Sequence, residues 1–136
     1  MERSVIVLSL TEMLNNMERL NDSYAVISIT DSLSTHSKMQ IELSDRCPNL
    51  CLFFLDVDDP EQEFSFSKAE ALAIRSFVKL NRDRKFIVHC NAGVSRSAAV
   101  AMWIEEYLYG GLSPSKKHYS LHNKLVYRTL HSLEDE

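Results

Sequence analysis

Cys90 and Arg96 stand six positions apart, separated by Asn91-Ala92-Gly93-Val94-Ser95 and followed by Ser97. The whole run, HCNAGVSRS from His89 to Ser97, lies between an apolar segment, Phe86-Ile87-Val88, and the helix-forming residues Ala98 to Trp103. A strand that turns tightly into a helix leaves several backbone N–H groups without partners. Pointed inward, they form an anion-binding nest, to which the helix dipole adds partial positive charge. Ala92 and Gly93 have little or no side chain to block such a nest. Arg96 adds a planar fork that can pair two oxygens of one anion.

Cys90 would lie at the floor of that cradle. An ordinary thiol, with a pKa of ~8.5, is only a few per cent thiolate at neutral pH. The nest, the dipole and Arg96 all favour the anion, so the pKa is expected to fall into the ~3.5–7.5 range of activated thiols. A thiolate beneath a site for three phosphate oxygens is placed to attack phosphorus in line.

HCNAGVSRS fits the C-x5-R signature and resembles the H-C-x-x-G-x-S-R-S form of the compact dual-specificity branch of the cysteine-based protein tyrosine phosphatases. The resemblance runs from the strand at Tyr24, through an acidic turn at Asp58-Asp59, to the helix ending near Tyr109. Asn123-Lys124-Leu125-Val126 is also similar to the C-terminal helix of small bacterial and phage members. The resemblance implies a phosphomonoester hydrolase with a phosphocysteine intermediate on Cys90. Arg96 would hold the phosphate, and Ser97 would supply the hydroxyl that helps the thiolate leave. Backbone amides of Asn91, Ala92, Gly93, Val94, Ser95 and Arg96 would form the cradle. An upstream Asp would act as general acid and then as base. No metal or cofactor is implied. His89, which tunes the thiolate in the family, should point away from the cradle, because its neighbour points in.

Three acids precede the loop: Asp56, Asp58 and Asp59. Asp56 falls within the apolar run and reads as structural or solvated. Leu55 and Val57 are two apart, and continuing that alternation reaches Asp59. The resemblance agrees, through an apolar-x-apolar-x-Asp run, and Pro60 would stiffen the turn. Asp59 is therefore the expected acid, with Asp58 its rival.

The other reactive-looking residues read more simply. Cys51 is a small core residue, and Cys47-x3-Cys51 is poor zinc spacing. His118 and His122 suit a solvated helix face. Lys116-Lys117 and Arg82-Asp83-Arg84-Lys85 read as solvated turns. The cradle loop lacks the lysines that phosphoinositide-directed relatives often carry there, so the expected substrate is a phosphorylated protein or small phosphoester.

The elements that must position these groups follow from hydropathy patterns. Ser4–Leu8, Tyr24–Thr30, Leu50–Val57 and Lys85–Cys90 read as strands, with a further short strand at Met39–Leu43. Asp31–Lys38 reads as a polar loop. Helices are expected over Ser9–Leu20, from a Ser67/Glu70 capping box to Leu80, over Arg96–Tyr109 up to Gly110-Gly111, from Ser113-Pro114, and around Leu121–Leu130. Strands alternating with helices imply an α/β fold: a single domain over residues 1–136, with a central, mostly parallel sheet of four to five strands flanked by helices. Ligands of such sheets sit beyond the carboxyl ends of the strands, where Cys90 and the acidic turn both fall.

The chain has 136 residues, 45% hydrophobic and 25% charged, with a net charge of −4. That composition suits one soluble domain and argues against stable nucleic-acid binding. The N-terminal apolar run is too short for a secretory core, and no stretch reaches the ~20 apolar residues of a membrane span. Three cysteines make no disulfide framework. The expectation is a cytoplasmic monomer without membrane contact. Two functions compete: a pseudophosphatase that binds phosphorylated partners without turnover, and RNA 5′-phosphate hydrolysis. The intact Cys90 and Arg96 disfavour the first and the negative charge the second. Arsenate reductases and low-molecular-weight phosphatases carry the loop near the N-terminus, unlike this chain.

Overall fold

A computed structural model describes residues 5–116 and 119–133. Four strands form one sheet: β1 (Ile6–Leu8), β2 (Tyr24–Thr30), β3 (Asn49–Phe53) and β4 (Lys85–His89). Their order is β1-β4-β2-β3 and every pairing is parallel. The helices are α1 (Leu10–Asn15), α2 (Leu33–Ser44), α3 (Lys68–Leu80), α4 (Arg96–Tyr109) and α5 (Lys124–Ser132). Both inner strands, β4 and β2, deliver their carboxyl ends to the same edge, as the α/β expectation required.

Strand alternation sorts the core into two layers. Ala25, Ile27 and Ile29 of β2 and Phe86 and Val88 of β4 pack with α3, α4 and α5. Val26 and Ile87 face the other way, onto Met13 of α1 and Met39 and Leu43 of α2. α4 is buried from Arg96 through Glu105, because it lies on the sheet and is covered in turn by α5. It ends at Gly110, in the left-handed conformation at φ 80°.

Residues 31–43 differ from the expectation of a polar loop followed by a strand at Met39–Leu43. They form α2, whose cap Ser32 accepts from the Thr35 amide at 3.4 Å. Met39, Ile41 and Leu43 alternate like a strand, but the helix buries Met39 and Leu43, four apart, and leaves Ile41 73% exposed. Topology decides the matter, since β2 and β3 are parallel neighbours and need a crossover between them.

Three other elements are shorter than their patterns. β3 stops at Phe53 rather than Val57, because its sole partner β2 ends at Thr30, which pairs with Phe53. The Ser9–Leu20 helix breaks after Asn15: the Asn16 amide bonds back to the Met13 carbonyl, and Met17–Arg19 makes a separate 3₁₀ turn. Among the described residues, no α-helix restarts at Ser113-Pro114. The chain turns there, with the Lys116 amide donating to the Ser113 carbonyl at 3.0 Å; Lys117 and His118 lie outside the described residues.

Lys116 also departs from the solvated turn expected of it. It is 4% exposed and its Nζ lies 3.6 Å from Glu105, which is wholly buried. Glu105 accepts from the Val5 amide at 2.8 Å and the Ser113 amide at 2.7 Å, so one carboxylate ties the start of the sheet to the segment after α4. Removing one partner of a buried pair leaves the other charge uncompensated. Glu105→Ala is expected to destabilise the fold by about 3 kcal/mol, measured by urea unfolding.

Candidate active site

β4 ends at His89, and α4 begins at Arg96 with Ser95 as its cap residue. Residues 90–95 therefore form a tight loop between a central strand and a helix N-terminus. β1 and α1 support it from beneath: the Cys90 amide donates to the Leu8 carbonyl at 3.4 Å, and the Leu10 amide to the Asn91 carbonyl at 3.1 Å. Gly93 is required at its position. Its φ is +78°, and a Cβ there would meet the Ser9 nitrogen at 2.8 Å and the Leu8 carbonyl carbon at 2.9 Å. Only a residue without a side chain lets the loop fold down so closely.

That descent brings the Gly93 amide to 3.3 Å from Cys90 Sγ, and Ser97 Oγ lies 3.1 Å from the same sulfur. Burial pushes the Cys90 thiol up. Hydrogen bonds from the Ser97 hydroxyl and amide and the Gly93 amide, together with the Arg96 charge, outweigh it, and the pKa falls below the ordinary value. Cys47 and Cys51 lack such help. Burial raises both, against only partial opposition from Arg46 at Cys47 and Ser28 at Cys51.

His89 points to the opposite face. Its Nε2 meets Ser28 Oγ at 2.6 Å, and burial holds its pKa down at about 4. It is neutral at physiological pH and supplies no positive charge to the thiolate.

Arg96 is 3% exposed. Its Nη1 donates to the Phe54 carbonyl at 2.8 Å, its Nη2 lies 3.3 Å from an Asp31 carboxylate oxygen, and its Nε has no partner. Asp31 also accepts from Asn91 Nδ2 at 2.9 Å.

The three upstream acids occupy different settings. Asp56 accepts from Ser95 Oγ at 2.7 Å and from Asn123 Nδ2 at 2.9 Å. Asn123 further donates to the Val57 carbonyl at 3.0 Å and to the Ser95 carbonyl at 3.1 Å, and its Oδ1 caps α5 by accepting from the Val126 amide. Asp58 lines a cleft of about 300 Å³ with Ser95, Leu121, His122 and Lys124. Asp59 is exposed and its Oδ1 accepts from the Glu61 amide at 3.0 Å. The strand register that points to Asp59 does not reach it, because β3 ends at Phe53. The acidic segment is instead an excursion closed by a 2.8 Å bond from the Leu55 amide to the Phe64 carbonyl.

The structure thus gathers Cys90, Gly93, Arg96 and Ser97 around one sulfur and sets Ser95 beside the acidic segment. Sequence reasoning gave no site role to Asp31, and it marked Asn123 only as the start of a C-terminal helix. Asp31 carried a signal: an acidic residue directly after the central β2. Asn123 carried another: an N-cap residue before an amphipathic helix. Among the described residues, no cluster of three or more His, Cys, Asp or Glu side chains is placed to hold a metal ion. None of their helices is long and apolar enough to cross a membrane.

No protein-family model matches the chain, and no curated protein matches it. Solved structures do. Tk-PTP in its active form is similar with a TM-score of 0.57 and 20% identity, over 96% of this chain and 89% of that one. A human tyrosine phosphatase-like serine/threonine/tyrosine-interacting protein is similar at 0.54 and 17%, over 93% and 85%. PTPMT1 is similar at 0.54 and 17%, over 98% and 91%. At such identities the likeness is one of fold. The chain has the fold of the cysteine-based tyrosine phosphatases, as its loop motif led us to expect.

The geometry around sulfur predicts a low-pKa thiolate at Cys90 alone among the three cysteines. Thiolate absorbance, titrated as the difference between wild type and Cys90→Ser, should rise at a midpoint below that of free cysteine. Ser97→Ala removes a hydrogen bond to the charged form and should move that midpoint upward.

Proposed function

We propose that this chain is a phosphomonoester hydrolase of the tyrosine or dual-specificity type, acting on a phosphorylated protein or small phosphoester. One observation carries this reading: a buried thiol with a lowered pKa accepts from Gly93 and Ser97, next to a buried guanidinium whose Nε has no partner. Such a site fits an anion with several oxygens above a nucleophile.

In this reading Cys90 Sγ attacks phosphorus in line. The S–P bond forms as the P–O bond to the leaving group breaks, and the leaving oxygen takes a proton from the general acid. The resulting carboxylate then deprotonates water, which attacks the phosphocysteine. Orthophosphate leaves, and Ser97 donates its hydroxyl to the returning thiolate. Amides from Asn91 to Arg96 and the Arg96 fork stabilise the equatorial oxygens in both steps. We assign the acid to Asp59, on the apolar-x-apolar-x-Asp run and on Pro60 after it. Asp58 is the second reading, favoured by its place in the cleft beside Ser95.

A second function, binding a phosphorylated partner without turnover, is favoured by the likeness to a phosphatase-like interacting protein. Hydrolysis of p-nitrophenyl phosphate separates the two. Wild type should turn it over, whereas Cys90→Ser should not, while still binding tungstate. A wild type that binds tungstate with no turnover would favour the binder.

Arg96→Lys keeps the charge but loses the paired bonds. It should cost at least about tenfold in kcat/KM, or roughly 1.4 kcal/mol. The acid assignment has its own check. Asp59→Asn should lower kcat strongly on phenyl phosphate, whose leaving group needs a proton, and much less on activated aryl phosphates. If Asp58→Asn does this instead, the acid is Asp58.

A further inference from the structure

We propose that Phe64 is the positioning residue of the general acid: it seats the far end of the acidic segment on the end of β3 and so sets the acid over the Cys90 cradle. This rests on the hydrolase reading above, and it holds with either Asp59 or Asp58 as the acid.

The acidic segment leaves the sheet after Phe53 and Phe54 and returns beside them. Its two ends meet in the 2.8 Å bond from the Leu55 amide to the Phe64 carbonyl. Near its start, Asn123 holds Asp56 and the Val57 carbonyl. The tip bonds to itself. The Glu61 amide donates to Asp59 Oδ1 at 3.0 Å, the Gln62 amide to the Asp59 carbonyl at 3.1 Å, and Ser65 Oγ to the Pro60 carbonyl at 3.1 Å. A loop closed and packed on itself in this way is carried as a unit by its ends. Where Asp58 and Asp59 stand is therefore decided at the start of the segment and at Phe64.

Among the described residues, Phe64 is the one non-glycine residue with positive φ, at 62°. A bulky side chain is strained there, and the conformation persists only where its surroundings enforce it. Two contacts do so. The carbonyl accepts from Leu55, and the ring meets the Phe53 ring edge-on, with centroids 5.5 Å apart and planes at 83°. Burial does not account for it, since Phe64 is 56% exposed. A mere solvent-facing turn would be better served by glycine, which takes positive φ without strain. The turn also divides the returning chain between the two faces of the strand end. Phe64 lies against Phe53, and Phe66 packs in the core on Phe54, with centroids 4.9 Å apart. The Phe54 carbonyl is the acceptor that holds Arg96 Nη1. Two successive phenylalanines thus register the acidic segment against the guanidinium.

Three variants separate the ring from the backbone. Phe64→Ala loses the ring and keeps the strain, Phe64→Gly loses both, and Phe64→Tyr keeps the ring. Each would be measured for kcat/KM on phenyl phosphate and on p-nitrophenyl phosphate, for tungstate affinity by calorimetry, and for hydrogen exchange at the Leu55 amide. Phe64→Ala should lower kcat/KM about tenfold on phenyl phosphate. On p-nitrophenyl phosphate, whose leaving group needs little protonation, the loss should stay under about twofold. Its Leu55 amide should exchange about tenfold faster as the closing bond opens. Tungstate affinity should be unchanged, because the cradle keeps its own contacts. Phe64→Gly should be intermediate and Phe64→Tyr should match wild type. Equal losses on the two substrates would mean general damage and overturn the proposal. So would a Phe64→Gly variant as active as wild type on phenyl phosphate, or unchanged exchange at Leu55 in Phe64→Ala. Each of those results leaves the hydrolase reading standing. A wild type that binds tungstate but turns over neither substrate sinks that reading, and the positioning role with it.

Discussion

The buried guanidinium of Arg96 organises the surrounding structure. A charge taken out of water needs partners at close range, and a planar fork accepts them only in its own plane. The Phe54 carbonyl arrives from just past β3 and the Asp31 carboxylate from just past β2, while the Cys90 thiol, just past β4, feels the charge of the guanidinium. One side chain at the first turn of α4 thus draws together the carboxyl ends of three strands. Parallel pairing makes this feasible, since all three ends emerge along one edge.

The same constraint explains the division of labour on either side of the sheet. Cys90 and His89 are neighbours in sequence but face opposite layers. The thiol sits on the α4 side, where Ser97, Gly93 and Arg96 can reach it. The imidazole sits on the α1 and α2 side, bonded to Ser28 and held neutral by burial. The groups that lower the Cys90 pKa are therefore the Ser97 and Gly93 hydrogen bonds and the Arg96 charge, against the opposing effect of burial. The glycine that completes the sulfur's shell is dictated by β1: Ser9 and Leu8 leave no room for a Cβ at residue 93.

A second tie joins the cradle to the acidic segment. Asn123 caps α5, holds Asp56 and the Val57 carbonyl, and donates to the Ser95 carbonyl. Asp56 completes the loop by accepting from Ser95. The segment carrying Asp58 and Asp59 is thereby anchored at its root while its tip is exposed. A side chain more than a hundred residues from β1 thus helps fix the height of the acidic turn above the loop.

Much of this was legible in the residues. HCNAGVSRS between an apolar run and a helix, the capping box at Ser67 and Glu70, and Gly110 after Tyr109 are local signals, readable because each depends on neighbours a few positions away. β2 and α4 came out with the bounds their patterns implied. What failed was what depends on partners distant in the chain. The alternation of Met39, Ile41 and Leu43 reads as a strand until the parallel pairing of β2 and β3 demands a helix between them. The apolar run to Val57 reads as strand until β2 ends at Thr30 and leaves it nothing to pair with. Lys116 reads as solvated until Glu105 is found beneath it. Asp31 and Asn123, lone polar residues at element ends, acquire their partners only when the sheet brings Arg96 and Asp56 to them. Sequence alone determined the residue types and spacing of the Cys90–Arg96 loop, because they are written in consecutive positions. Tertiary structure alone decided what holds that loop in place, because each tie joins elements from separate parts of the chain.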